Sequence, residues 1–155
     1  MALYETAQIC LNGHVISYES DGDEKYCSKC GSKTIRSCQK CGTKIRGCEI
    51  YDFPVVNIKY VTPKYCPNCG SPYPWTSAAI EATKIMLEES EEINATYRDR
   101  LIESLPDIVS ETPKTSLAVN RDNNVLKSVG KFTADALREF VITFGCELAK
   151  SQLGM

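Results

Sequence analysis

The sequence has a single histidine and lacks the usual catalytic signatures. Because His14 is the one imidazole, a serine or cysteine nucleophile has almost no choice of general base. There is no glycine-rich phosphate loop, dinucleotide fingerprint or His-Glu-x-x-His motif. The acidic residues also lack the pairing with histidine that di-iron helical bundles use. We therefore expect a protein that is not an enzyme and that has no small-molecule substrate.

Long apolar runs and an excess of charge are lacking as well. The longest apolar stretch, residues 140–144, is far shorter than the roughly 20 residues of a membrane-spanning helix. No signal peptide is recognisable at the start of the chain. We therefore expect no membrane partner and a cytoplasmic location, where thiols stay reduced and a disulfide scaffold is disfavoured. The net charge of -2 gives no overall attraction to nucleic acid.

Cysteine, by contrast, is abundant and clustered, with eight of the nine residues in the first 69 positions. Residues 27–31, 38–42 and 66–70 each read Cys-x-x-Cys-Gly, a turn that we call a knuckle. Residues 10–14 form a fourth turn that begins with cysteine and ends with histidine. A Cys-x-x-Cys pair holds one edge of a metal tetrahedron, so four pairs predict two zinc sites. A redox dithiol and an iron–sulfur or other thiophilic metal site are the less favoured alternatives.

Two pairings of the ligands are possible. Sequential pairing, which we favour because short connections dominate small domains, groups Cys10, His14, Cys27 and Cys30 in one site and Cys38, Cys41, Cys66 and Cys69 in the other. Cross-braced pairing would join the first pair to the third and the second to the fourth. Cys48 competes with His14 for the first site, and its alternative is a free, partly buried thiol. Both sites are full, which predicts two structural Zn²⁺ ions rather than catalytic ones.

The composition changes near residue 75. We predict an α+β fold, with a double zinc-ribbon domain at residues 1–75 and a helical domain of three to four helices at residues 76–155. Residues 15–17 and, more clearly, the β-branched segment 55–61 are predicted strands. Trp75, at the junction, is predicted to pack between the two halves rather than to stack on a ligand.

The helical half carries several start and stop signals. A first helix is expected from about Ser77, because prolines at 72 and 74 disfavour an earlier start. The second is expected to stop at Pro106, and the third to begin at Thr112–Pro113 and run towards Gly130. Their apolar residues are expected along one side of each helix: Ile80, Ile85 and Leu87; Tyr97, Leu101 and Leu105; Leu117, Val125, Leu126 and Val129; and Phe132, Leu137, Val141, Phe144 and Leu148, with Cys146 in the core of the last helix.

Charge is distributed unevenly along the chain. The basic segment, residues 25–46, has seven basic residues and no acidic one, namely Lys25, Lys29, Lys33, Arg36, Lys40, Lys44 and Arg46. It predicts either a phosphate-binding face, with Lys33, Arg36, Lys40, Lys44 and Arg46 as candidate nucleic-acid contacts, or cations that offset the negative charge of zinc-bound thiolates. Residues 81–111 hold nine acids against three bases, which is typical of a solvated helix face or a docking surface.

Several motifs together resemble one uncharacterised bacterial domain-of-unknown-function family. They are the His14 turn, the knuckles, residues 44–47 (Lys-Ile-Arg-Gly), residues 65–76 (Tyr-Cys-Pro-Asn-Cys-Gly-Ser-Pro-Tyr-Pro-Trp-Thr), residues 103–107 and residues 112–115. The resemblance implies an N-terminal double zinc ribbon with a helical tail. It also implies that the eight predicted ligands occupy the family's metal positions and that Cys48 is peculiar to this chain. The family carries no activity to transfer.

The favoured function is therefore a non-enzymatic zinc-binding protein. Its ribbons would scaffold a helical surface for a protein partner or for self-association. The alternative is a small nucleic-acid-binding regulator that uses the basic segment.

Overall fold

The computed structural model describes residues 2–155 and confirms the α+β fold, with small antiparallel sheets followed by five helices. The chain divides into two compact units, residues 1–78 and residues 79–155. No helix in the described part of the chain is long and apolar enough to cross a membrane.

The first unit contains five short strands in two antiparallel sheets. Strand β2 (Gln8–Cys10) lies at the centre of a three-stranded sheet. Its Ile9 faces Val15 on one neighbouring strand and Ile35 on the other. The first and last strands form a separate two-stranded sheet. The strands are β1 (Tyr4–Thr6), β2 (Gln8–Cys10), β3 (Val15–Ser17), β4 (Thr34–Ile35) and β5 (Arg46–Glu49). The predicted strand at residues 15–17 is thus confirmed.

A small set of side chains forms the core of this unit. Ile9, Ile45 and Tyr73 are fully buried together with four of the clustered cysteines. The Trp75 ring stacks on Tyr73 with 4.8 Å between centroids, and its Nε1 donates to the carbonyl of Pro63 at 2.8 Å. Trp75 is therefore a core residue of the first unit, and its predicted role in joining the two halves stays a prediction.

The predicted strand at residues 55–61 is wrong. This segment forms no strand, and Val55, Val56 and Val61 are exposed. The segment follows Pro54 and contains Asn57 at a φ of 65°, which is outside the extended region. A β-branched sequence forms a strand only where a neighbouring strand accepts its hydrogen bonds and covers one face, and no strand pairs with residues 55–61.

The second unit is helical. Its core consists of apolar residues from successive helices, including Leu87, Leu101, Leu105, Val125, Leu137 and Val141. The helices are α1 (Pro74–Glu89, which begins in the first unit), α2 (Ala95–Val109), α3 (Thr115–Leu126), α4 (Lys131–Phe144) and α5 (Glu147–Leu153). Helix α3 packs against α2, α4 and α5. This arrangement makes α3 the centre of the unit.

Two predicted helix limits are wrong, because proline begins one helix and lies inside another instead of excluding helix at both places. Helix α1 begins at Pro74 rather than near Ser77, since proline at the first helical position loses no intrahelical hydrogen bond. Helix α2 continues through Pro106 to Val109. Pro106 is exposed, while Ile108 and Val109 are buried and hold the last turn in place despite the hydrogen bond that proline cannot donate.

Helix α3 begins at Thr115, three residues after the predicted cap Thr112, and ends before Val129. Thr112 nevertheless organises this start, because its hydroxyl accepts from the amide of Lys114 at 3.1 Å. Of the four apolar residues predicted for the buried face of α3, Val125 is buried, but the face as a whole differs from the predicted one. It consists of Thr115, Ala118, Val119, Asp122 and Val125, while Leu117 is exposed.

The last predicted helix is two helices, which accounts for the count of five. Gly145 ends α4, and the chain turns at Cys146 before α5. Cys146 therefore precedes a helix and is only half-buried, contrary to its predicted core position. Phe132, which was predicted on the apolar side of this helix, is 83% exposed, whereas the next two residues, Thr133 and Ala134, are buried.

Candidate metal centres

The three knuckles fold alike. In each, the glycine amide donates to the carbonyl of the first cysteine, at 2.7 to 2.9 Å, and the first cysteine's amide donates to the carbonyl five residues later, at 2.8 to 2.9 Å. The glycines Gly31, Gly42 and Gly70 have φ values of 72°, 77° and 72°. A residue with a Cβ is strained in this left-handed region, which explains why glycine follows the second cysteine of each knuckle.

The fourth turn is a shortened version of the knuckle. The amide of Gly13 donates to the carbonyl of Cys10 at 2.9 Å, and the amide of Cys10 donates to the carbonyl of His14 at 3.0 Å. The backbone amide of His14 also donates to the Cys10 sulfur at 3.3 Å. The turn therefore places the imidazole beside the sulfur of Cys10.

The structure brings the eight predicted ligand residues together in two groups. The first cluster is Cys10, His14, Cys27 and Cys30, and the second cluster is Cys38, Cys41, Cys66 and Cys69. Within each cluster the four candidate ligand atoms lie within 4.8 Å of one another. This is the sequential grouping, not the cross-braced one. Among residues 2–155 no third group of metal-ligating side chains is gathered in this way.

In the first cluster His14 Nδ1 is the nitrogen that faces the sulfurs. It lies 3.5 Å from Cys10 Sγ and 3.6 Å from Cys27 Sγ, and the sulfurs of Cys10 and Cys30 are 3.7 Å apart. In the second cluster the sulfurs of Cys38 and Cys69 are 3.7 Å apart, and those of Cys41 and Cys66 are 3.6 Å apart.

These distances fit a tetrahedral ion. With metal–sulfur bonds of about 2.3 Å, adjacent sulfurs of a regular tetrahedron lie roughly 3.8 Å apart, and a nitrogen ligand lies roughly 3.5 Å from each sulfur. A disulfide would need sulfurs at about 2.05 Å, and all nine cysteines, which fall within the described residues 2–155, are free. Each cluster can therefore hold a metal ion with four protein ligands.

A serine or threonine hydroxyl supports the second cysteine of each knuckle. The amide and hydroxyl of Ser32 and the side chain of Asn12 lower the pKa of Cys30 to about 5. The hydroxyl and amide of Thr43 lower the pKa of Cys41 to about 6, and Thr43 Oγ1 lies 3.2 Å from that sulfur. The hydroxyl and amide of Ser71 lower the pKa of Cys69 in the same way. These groups stabilise thiolates, the form that binds metal.

The serine or threonine after each knuckle glycine is a functional residue that the sequence analysis did not identify. The repeat itself was the available signal, because the hydroxyl recurs two residues after the second cysteine in all three knuckles. Metal ligands are commonly held and tuned by hydrogen bonds of this kind.

Replacing Thr43 with valine is expected to lower the metal affinity of the second cluster. Loss of the hydroxyl raises the pKa of Cys41, so protons compete better for the sulfur. The expected loss is about 10- to 100-fold, measured by competition with a chromophoric chelator. Thr62→Val, a change of the same size outside both clusters, should leave the affinity unchanged. An equal affinity for Thr43→Val and the unaltered chain would contradict this role.

Cys48 lies outside both clusters. It is buried on β5, and burial together with the negative charges of Glu19 and Glu5 raises the pKa of its thiol. Its sulfur therefore stays protonated, in keeping with the free, buried thiol that was the alternative to a ligand role.

The residues of the basic segment, which include the candidate nucleic-acid contacts Lys33, Arg36, Lys40, Lys44 and Arg46, are placed unequally. Lys25, Lys29, Lys33, Lys40 and Lys44 are exposed. Two arginines have partners within the first unit: Arg36 Nη2 lies 3.5 Å from Gln8 Oε1, and the guanidinium of Arg46 lies 4.3 Å from the centroid of the Tyr4 ring. The two arginines, of which Arg46 is also exposed, therefore each have a contact within the first unit, and the five lysines are exposed to solvent without such a contact among residues 2–155.

Comparisons with known proteins agree with the motifs. No curated protein and no solved structure matches the chain. The model of a family described as "Uncharacterized protein conserved in bacteria (DUF2321)" matches residues 3–153, which is nearly the whole chain. The chain therefore belongs to this bacterial family, DUF2321.

Proposed function

We propose that the protein is a non-enzymatic zinc protein in which two structural Zn²⁺ ions scaffold the first unit and the helical unit supplies a surface for a protein partner or for self-association. The observation that carries this proposal is the complete ligand set of each cluster. A catalytic zinc needs a position for water or substrate, whereas four protein ligands fill the tetrahedron.

Zinc is the metal that this donor set suits best. Four thiolates, or three thiolates and one imidazole, are common ligand sets of structural zinc sites. Zinc also has no redox chemistry of its own. Reduced thiols are needed throughout, which favours the cytoplasm as the place where the protein works.

Exposed apolar side chains on the helical unit support the interaction role. Phe132 is 83% exposed, and Ile142, on the same helix α4, is 51% exposed. An exposed aromatic side chain such as Phe132 is the kind of residue that anchors a protein partner when it is buried in an interface. We place the interaction surface at α4 for this reason.

Replacing Phe132 with serine is expected to weaken association. Burial of a phenylalanine contributes about 1.5–3 kcal/mol, so the dissociation constant should rise about 10- to 100-fold. Sedimentation velocity over a concentration series measures the effect on self-association, and co-purification measures it for another partner. Lys131→Ser, on the neighbouring exposed residue, is the matched control. An unaltered chain that stays monomeric and co-purifies with no protein would contradict the proposal.

Nucleic-acid binding is a second candidate function. The observation that favours it is the set of exposed lysines in the basic segment, which exceeds what the thiolates of two zinc sites need for compensation. Such binding should weaken steeply with salt. It should also weaken when Lys33, Arg36 and Lys44 are replaced, in gel shifts at low salt.

A further inference from the structure

The basic segment consists of two copies of one 11-residue unit. Residues 25–35 and 36–46 align position by position, with basic residues at the first, fifth and ninth positions of both copies. The fold repeats as well: the amide of Thr34 donates to the carbonyl of Lys25 at 3.1 Å, and the amide of Ile45 donates to that of Arg36 at 2.8 Å. The two copies therefore place basic residues at equivalent positions of two similar turns. The equivalent pairs are Lys25 with Arg36, Lys29 with Lys40, and Lys33 with Lys44.

No carboxylate among residues 2–155 forms an ion pair with a lysine of the basic segment. The three ion pairs found among residues 2–155 involve Arg98, Arg138 and Lys150, none of which belongs to the basic segment. A repeated row of unpaired cations matches the repeated charge of a polyanion.

An aromatic ring lies among these cations. Tyr26 is 64% exposed and directly precedes Cys27, and its backbone bridges to that of Lys33. The ring lines an open groove of about 440 Å³ whose other charged walls are Lys25, Lys33, Arg36, Asp23 and Glu24. The lining of the groove thus combines an exposed aromatic residue with three basic and two acidic residues.

We propose that this groove binds single-stranded nucleic acid, with a base stacked on Tyr26 and phosphates held by Lys25, Lys33 and Arg36, which line the groove. Lys40 and Lys44 of the second copy would contact further phosphates of a longer strand. The proposal rests on the second candidate function and names its substrate class. An exposed ring offers a stacking face to an unpaired base, whereas the bases of a duplex are stacked on one another and leave only phosphates to the lysines.

Fluorescence anisotropy of the full chain, purified with zinc, tests this with a labelled oligo-dT strand and a duplex of equal length. The single strand should bind more tightly than the duplex, and both affinities should fall with salt. Tyr26→Ala should weaken single-strand binding about 5- to 100-fold and leave duplex binding unchanged. Tyr26→Phe should retain binding, because it keeps the ring. Tyr51→Ala, which removes another exposed tyrosine of the first unit, is the matched control.

Two results would overturn the inference, and they differ in meaning. Salt-sensitive binding that is equal for strand and duplex and is unaffected by Tyr26→Ala would leave the basic segment as a general polyanion site and eliminate the single-strand site. No binding of either probe at the lowest salt would eliminate both this site and the second candidate function.

Discussion

Removal of metal is expected to unfold the first unit. Its buried apolar side chains other than cysteine are few: Ala7, Ile9, Ile45, Tyr73 and Trp75. Structural zinc contributes about 10–16 kcal/mol of apparent folding free energy per site, which is as large as the whole stability of an ordinary domain. A strong chelator should therefore abolish the protection of residues 1–78 in hydrogen exchange. The helical unit, which has its own apolar core, should keep its protection.

A pair of cysteine variants separates metal loss from loss of a buried thiol. Cys66→Ser removes a ligand of the second cluster and should lose one metal equivalent together with the fold around it. Cys48→Ser changes a cysteine that is also buried but belongs to neither cluster, and it should retain both metals. A chelated chain whose first unit keeps its protection would show that packing alone holds this unit. A Cys66→Ser variant with full metal content would show that Cys66 is not a required ligand of the second cluster.

Replacing Asp122 with asparagine is expected to stabilise the helical unit above neutral pH. Asp122 lies on the buried face of α3 with 1% of its surface exposed, and neither carboxylate oxygen has a hydrogen-bond partner among residues 2–155. Burial raises the pKa of this carboxyl from 3.8 to about 7, against the weaker opposing effect of Arg138. Because an uncompensated buried charge is costly, the ionised side chain opposes folding.

The pH dependence follows from the direction of that shift. Between about pH 4 and pH 7 the folded state holds a proton that the unfolded state has lost, so stability falls as the pH rises through this range. At 1.36 kcal/mol for each pKa unit, the loss between about pH 5 and pH 8 should be about 2–3 kcal/mol. Denaturant unfolding monitored by helical signal should show this slope for the unaltered chain and not for Asp122→Asn.

Asp99→Asn is the control for that experiment, because Asp99 lies on α2 with 70% of its side chain exposed. It should reproduce the pH slope of the unaltered chain. Equal slopes for the unaltered chain and Asp122→Asn would show that the carboxylate finds a partner or water in solution.

The metal clusters could be predicted from the sequence because their geometry is local. A Cys-x-x-Cys-Gly turn sets the distance between its two sulfurs through its own hydrogen bonds, so spacing identifies the six ligands of the three knuckles. Spacing does not decide how the pairs combine or whether His14 or Cys48 completes the first site. Cys10 and His14 lie in a turn with the same two backbone hydrogen bonds, each of which spans one residue fewer than in the knuckles. The supporting hydroxyls of Ser32, Thr43 and Ser71 also recur at a fixed offset, although their role needs the structure.

Features that depend on distant parts of the chain could not be predicted in this way. Residues 55–61 have the composition of a strand, but the fold supplies no neighbouring strand for them. On α3, Ala118, Asp122 and Val125 share one face at helical spacing, yet choosing that face over the one with Leu117 requires knowing where α2, α4 and α5 lie. A hydrophobic pattern could not identify the buried carboxylate of Asp122, because such a pattern assigns every acidic residue to the exposed face.

X-ray absorption at the zinc edge of the freshly purified chain tests the central claim most directly. The two closed clusters predict seven sulfur ligands and one nitrogen ligand for two ions, with no oxygen ligand and with zinc–sulfur distances of about 2.3 Å. An absent zinc edge, or a spectrum that requires a bound water oxygen, would contradict two closed structural sites.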